Sequence, residues 1–139
     1  MCPDTLGSRT SSFVSPPGPS LAGRRVLVVE DEYFLAQDLA RALVRLGAEV
    51  AGPVPTREDA LARLQEGERL DAAVLDINLR GQTCYDIADA LLARGVPFVF
   101  ATGYDRAVLP PAYGDIPLWE KPFDPDRLVR ALPQIARGG

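Results

Sequence analysis

The chain has 139 residues, of which 47% are hydrophobic and 24% are charged, and its formal net charge is −4. These values are typical of a single globular domain, and no apolar run approaches the roughly 20 residues that span a bilayer. The acidic balance argues against nucleic acid as the main partner, because binding phosphates needs a basic face. The absence of histidine excludes His-based acid–base chemistry and His-ligated metals. Two cysteines provide neither a disulfide framework nor a paired metal-ligand spacing.

The first 22 residues are rich in Ser, Pro, Gly and Thr. Such a composition buries too little apolar surface to offset the entropy of ordering, so it predicts a disordered leader. We expect the folded domain to occupy residues 23–139. Because the N-terminal segment has no continuous apolar core that would form a signal peptide, we also expect a cytoplasmic location.

Five short apolar runs predict the strands of a parallel sheet. Runs of this length between turn residues are typical of strands that are buried on both faces. They lie at Val26–Val29, Ala48–Gly52, Ala72–Leu75, Val96–Ala101 and Ile116–Glu120.

Helical patterns separate these runs. Leucines at helical spacing predict a helix over Tyr33–Leu46, and two pairs that resemble capping boxes predict two more. These pairs are Thr56 with Asp59 and Thr83 with Asp86. The sequence Asp124-Pro125 is typical of the start of a final helix.

A double proline interrupts the alternation where a fourth crossover helix belongs. Because Pro110 and Pro111 each lack a backbone donor, only a short, irregular turn of helix is expected there. The order of elements nevertheless predicts an α/β fold, a doubly wound five-stranded parallel sheet with helices on both faces.

Polar side chains follow four of the predicted strands. Parallel strands in such a sheet place their carboxyl ends at one edge, where open α/β folds bind their ligands. Crowded carboxylates favour a divalent cation, and oxygen-only ligands suit Mg²⁺. Together with a lysine and a threonine hydroxyl, they predict a site for a phosphoryl group. The residues are Glu30, Asp31, Asp76, Thr102 and Lys121.

Four short motifs resemble those of the response-regulator receiver domain, which has the flavodoxin-like fold of CheY with strand order 2-1-3-4-5. Each motif lies at a predicted strand end, and together they extend over roughly residues 24–137. They are VLVVEDE (26–32), VLDINL (74–79), FATGY (100–104) and EKPF (120–123).

The resemblance implies a role for each matching residue. Asp76 would accept a phosphoryl group from a phosphohistidine of a sensor histidine kinase or a histidine phosphotransfer protein. Mg²⁺ would be bound by Asp31, Asp76 and the backbone carbonyl of Asn78, with Glu30 helping directly or through water. Thr102 and Lys121 would bind phosphoryl oxygens, and Lys121-Pro122 resembles the cis peptide of the family. Glu32 is interpreted as a solvated turn acid outside the site.

One position departs from the family pattern. The aromatic residue three positions before the lysine is replaced by Leu118, while Trp119 points to the opposite side by strand alternation. The segment FATGY and the reduced fourth helix resemble the atypical FATGUY group, which is associated with kinases of the HWE and related classes.

These observations predict a stand-alone response regulator, not an enzyme, that signals by binding an unidentified protein target, since no output domain fits after Arg137. Two alternatives stay open. One is a pseudo-receiver, a docking module that never takes phosphate. The other is a phosphatase with Asp76 as nucleophile, although such enzymes of the haloacid dehalogenase type want an acid at the position of Asn78.

Overall fold

Seven strands form the sheets of the protein, which we describe from a computed structural model over residues 20–103 and 109–136. Five of them make a parallel sheet in the order β2-β1-β3-β6-β7, and β4 and β5 make an antiparallel hairpin. The fold class and strand order predicted from the sequence are therefore confirmed. The strands are β1 (Arg25–Val29), β2 (Glu49–Val54), β3 (Ala72–Leu75), β4 (Asn78–Leu79), β5 (Gln82–Thr83), β6 (Phe98–Thr102) and β7 (Leu118–Glu120).

Helices cover both faces of the parallel sheet. They are α1 (Tyr33–Arg45), α2 (Arg57–Gln65), α3 (Tyr85–Ala93) and α4 (Pro125–Ala131). In β1 the buried side chains alternate, so that Leu27 packs towards α2 and α3 while Val28 packs towards α1 and α4. Burial on both faces explains why β3 and β6, in the middle of the sheet, are almost wholly apolar, whereas the edge strands β2 and β7 each contain an exposed glutamate.

Local capping sets the starts of two helices as predicted. The Thr56 hydroxyl accepts a hydrogen bond from the Asp59 amide at 3.1 Å, and the Asp124 carboxylate accepts one from the Asp126 amide at 3.0 Å. Both bonds satisfy amides that a helix start leaves unpaired. The prediction for Thr83 is wrong, because α3 begins at Tyr85 after Cys84 and Thr83 pairs with Asn78 in the hairpin.

In the described part of the connection between β6 and β7, the helical structure is short, as the double proline predicts. This part contains one 3₁₀ turn, Pro111–Tyr113, and residues 104–108 of this connection lie outside the described part. Tyr113 is buried, stacks on Tyr85 and donates a hydrogen bond to the Asp89 carboxylate at 2.6 Å. This turn is therefore packed against α3.

The folded part of the described chain begins at Leu21, close to the predicted boundary at residue 23. The Leu21 side chain is fully buried against α1 and α4, and its amide donates to the Leu46 carbonyl at 2.8 Å. The described packing thus begins two residues before the expected start at residue 23, and residues 1–19 lie outside the described part. Among the described residues, no helix has the length and apolar character needed to cross a membrane.

Candidate functional site

The carboxyl ends of β1, β3, β6 and β7 surround one cleft of about 360 Å³. Backbone hydrogen bonds continue the sheet past the strand ends: the Asp76 amide donates to Val29 at 2.9 Å, and the Lys121 amide donates to Thr102 at 2.8 Å. These bonds fix the side chains that follow the strands above one edge. The cleft is lined by Asp31, Glu32, Asp76, Asn78, Arg80, Gly81, Thr102, Gly103 and Lys121.

The ammonium group of Lys121 is the centre of this cleft. It donates to the Glu30 carboxylate at 3.0 Å, to the Asp76 carboxylate at 2.9 Å and to the Glu32 carboxylate. Although burial lowers the pKa of Lys121, the hydrogen bonds to Glu32 and Asp76 raise it above its usual value. Lys121, the only lysine of the chain, therefore stays protonated and positively charged.

Glu30 and Asp76 are buried carboxyl groups, with 2% and 3% of their surface exposed. Backbone amides hold one oxygen of each, from Glu32 to Glu30 at 3.0 Å and from Asn78 to Asp76 at 3.1 Å. Burial and the Asp76 charge raise the pKa of Glu30 from 4.5 to about 7. Burial also raises the pKa of Asp76, against the opposing effect of Lys121. The positive charge of Lys121 therefore only partly offsets the cost of burying these two carboxylates.

Asp31 lies at the same cleft but faces another partner. Its carboxylate accepts a hydrogen bond from the Arg80 amide at 2.9 Å. Arg80 and Gly81 form the two-residue turn of the hairpin, with φ of 52° and 83°. A two-residue turn with positive φ at both positions matches the twist of the paired strands. The hairpin therefore covers one side of the cleft and rests on Asp31.

The acids of the cleft can hold a cation. One carboxylate oxygen from each of Glu30, Glu32 and Asp76 lies within 4.8 Å of the others. The second oxygen of Glu30 is buried without a hydrogen-bond partner among the described residues. Because buried carboxylate oxygens normally have a partner, this oxygen is a ready ligand, and an all-oxygen set suits Mg²⁺.

Leu118 and Trp119 of β7 point to opposite faces of the sheet, as strand alternation predicts. Thr102 is fully buried at the end of β6, and Leu118 packs with the core beside α2 and α3. Trp119 packs on the opposite face against Phe123, with ring centres 6.3 Å apart. The Lys121–Pro122 peptide bond is cis.

The structure thus brings together most of the residues singled out in the sequence. Glu30, Asp76 and Lys121 are in direct contact, and Asp31, Asn78 and Thr102 line the same cleft. The sequence predicts Glu32 outside the site, but in the structure it contacts Lys121. The signal for it was the run of three acids after β1, which by itself does not show which of them turn inwards.

Known proteins resemble this chain in fold and in sequence. The curated regulator PhyR of Methylorubrum extorquens is 31% identical over 137 residues, 91% of this chain and 50% of that protein. The chain spans about half the length of the curated relatives it matches. No protein-family model matches it.

Two solved structures resemble the whole domain. SdrG of Sphingomonas melonis is 42% identical with a TM-score of 0.68, covering 78% of this chain and 92% of SdrG. A CheY-like response regulator receiver domain from Methylobacillus flagellatus is 26% identical with a TM-score of 0.66, covering 81% and 98%. On this similarity and the matching strand order, the chain belongs to the family of CheY-like response regulator receiver domains.

Proposed function

We propose that Asp76 accepts a phosphoryl group from a phosphohistidine of a partner kinase or phosphotransfer protein, and that the phosphorylated form signals by binding a protein target. The observation that supports this most is the contact between the buried Asp76 carboxylate and the Lys121 ammonium at the rim of the sheet. A carboxylate can act as the nucleophile in phosphoryl transfer, and a fixed cation beside it stabilises the charge that develops on the phosphoryl oxygens.

The transfer balances without any further reactant. An oxygen of Asp76 bonds to phosphorus as the bond from phosphorus to the imidazole nitrogen breaks. The phosphohistidine reacts with its other ring nitrogen protonated, so the imidazole that keeps the electron pair leaves as the neutral ring. The Asn78 amide donates to the Asp76 carboxylate, and Lys121 and the buried Thr102 line the same cleft, which supports a role for both in binding phosphoryl oxygens.

The acids of the cleft would hold Mg²⁺ in this reaction. Glu30, Asp31, Asp76 and the backbone carbonyl of Asn78 are the proposed ligand set. When bound, the cation neutralises negative charge on the phosphoryl oxygens. The proposed setting is a cytoplasmic phosphorelay.

Phosphorylation of Asp76 would add negative charge and acceptor oxygens beside Thr102, at the end of β6. We expect this to bias the β6–β7 connection between two arrangements and so to alter a binding surface. The same proposal includes a protein that acts as a stand-alone regulator and a partner kinase of the HWE class.

The test is phosphorylation by a small donor. The wild-type protein, incubated with Mg²⁺ and acetyl phosphate, is expected to gain one phosphoryl group by intact mass, and the label should be lost in alkali. Asp76→Asn should gain none, and EDTA should prevent labelling of the wild type. Asp38→Asn is the matched control, because Asp38 is an exposed α1 aspartate away from the cleft.

The outcomes separate the proposal from its main alternative. Undiminished or acid-stable label in Asp76→Asn contradicts phosphoacceptance at this residue. A folded wild-type protein that binds Mg²⁺ weakly or not at all and never takes the label supports the docking module. That alternative stays open because Leu118 occupies the place of the family's aromatic residue.

A further inference from the structure

The Glu32 carboxylate accepts the third hydrogen bond that the Lys121 ammonium can donate. A lysine ammonium has three N–H donors. In the structure these face the carboxylates of Glu30, Asp76 and Glu32. The unphosphorylated, metal-free cleft therefore uses every donor that Lys121 has.

The three carboxylates differ in how firmly they are held. Glu30 and Asp76 each have side chains at most 4% exposed, and backbone amides bind one oxygen of each. The Glu32 side chain is 61% exposed, and Lys121 is its only hydrogen-bond partner among the described residues. Glu32 can therefore leave Lys121 at the lowest cost.

Under the proposed function, a phosphoryl group on Asp76 brings acceptor oxygens and negative charge to the same ammonium. Because Lys121 has no spare donor, one existing carboxylate must give way. Glu32 is the carboxylate that can, and its own charge repels the incoming group.

We propose that Glu32 is a built-in competitor of the phosphoryl group for Lys121. It is a positioning residue that acts through Lys121. Its negative charge makes the cleft bind a phosphoryl group less tightly and a divalent cation more tightly. The unpaired buried oxygen of Glu30 in the same cluster supports the effect on cation binding, because a bound cation would give this oxygen the partner that it lacks.

The test uses Glu32→Gln, which keeps the size and the acceptor oxygen but removes the charge. The matched control is Glu66→Gln, since Glu66 is exposed at the end of α2, outside the cleft. Both variants and the wild type are titrated first with Mg²⁺ alone and then with beryllofluoride, a phosphoryl mimic, at saturating Mg²⁺. Because Lys121 is the only lysine, ¹⁵N-lysine labelling gives one side-chain ammonium signal that reports each titration.

We expect opposite changes in Glu32→Gln: Mg²⁺ binding weakens a few-fold, and beryllofluoride binding tightens by about three- to ten-fold, the size of one partly exposed charge interaction. Glu66→Gln should match the wild type in both titrations. A merely structural role would weaken both.

Unchanged or weaker beryllofluoride binding in Glu32→Gln overturns the proposal. If the wild type binds beryllofluoride and is labelled at Asp76, that result leaves the proposed function standing. If the wild type neither binds beryllofluoride nor takes a phosphoryl group, the proposed function and this inference both fail.

Discussion

The buried Glu30 makes the stability of the metal-free protein depend on pH. Its pKa is raised from 4.5 to about 7, chiefly by burial and then by the charge of Asp76. The folded state therefore binds a proton more tightly than the unfolded chain does between these pH values. The free energy of unfolding should rise as the pH falls through this window, and the penalty for the ionised form is fully present above pH 7.

The magnitude follows from the shift of the pKa. A change from 4.5 to about 7 corresponds to about 3 kcal/mol in total. Between pH 8 and pH 5.5 the gain in unfolding free energy should be about 2 kcal/mol, because the unfolded-state group is still largely ionised at pH 5.5. Asp76, whose pKa is also raised, adds to the effect in the same direction.

The assay is urea unfolding in EDTA at several pH values, followed by the fluorescence of Trp119, the only tryptophan. Wild type should gain stability towards pH 5.5, and Glu30→Gln should lose most of this gain. Glu66→Gln controls for a general change in net charge and should keep the wild-type slope. Equal pH slopes in wild type and Glu30→Gln would refute the reasoning.

Three further predictions, one of them with a control substitution, are tested by the same unfolding assay. Thr56→Ala should cost about 1 kcal/mol because it removes the hydroxyl that caps α2, whereas Thr83→Ala, which removes no cap, should cost less than half of that; equal losses would contradict the assignment. Arg80→Asn should stabilise the hairpin by about 0.5 kcal/mol, since asparagine tolerates the positive φ at this turn better than arginine, and a loss of stability would contradict it. Lys121→Met should cost about 3 kcal/mol at pH 8 in EDTA by leaving buried carboxylates without a cation, and Mg²⁺ should recover part of the loss; an unchanged stability would argue against the contacts of Lys121.

The sheet could be predicted from the sequence because its central strands β1, β3 and β6 are buried on both faces. Runs such as Val26–Val29 and Ala72–Leu75 have no polar residue to confuse the pattern, and each ends at a charged group. The hairpin Asn78–Thr83 was missed because strands of two residues show no periodicity. Its turn has arginine where asparagine would have indicated positive φ, so Gly81 was the only signal.

The site was predicted to the extent that strand ends determine it. Asp76 and Lys121 follow β3 and β7 directly, and the parallel register brings them to one edge. The position of Glu32 could not be predicted, because it depends on the turn after β1 and on where the flexible lysine side chain lies. The contact of Asp31 with the Arg80 amide was hidden for a similar reason, since it requires the hairpin.

The charges of the cleft connect stability with the proposed chemistry. The carboxylates of Glu30, Glu32 and Asp76 contact Lys121 there, Asp31 lines the same cleft, and the pKa of Glu30 is raised to about 7. Protonation of Glu30 and binding of a divalent cation are two ways of neutralising the same buried charge, so the proton and the cation compete. Near neutral pH a cation should therefore release protons as it binds, and it should bind more tightly as the pH rises. The arrangement that destabilises the empty cleft at pH 8 is thus the one that prepares it for a cation and, beside that cation, for a phosphoryl group on Asp76.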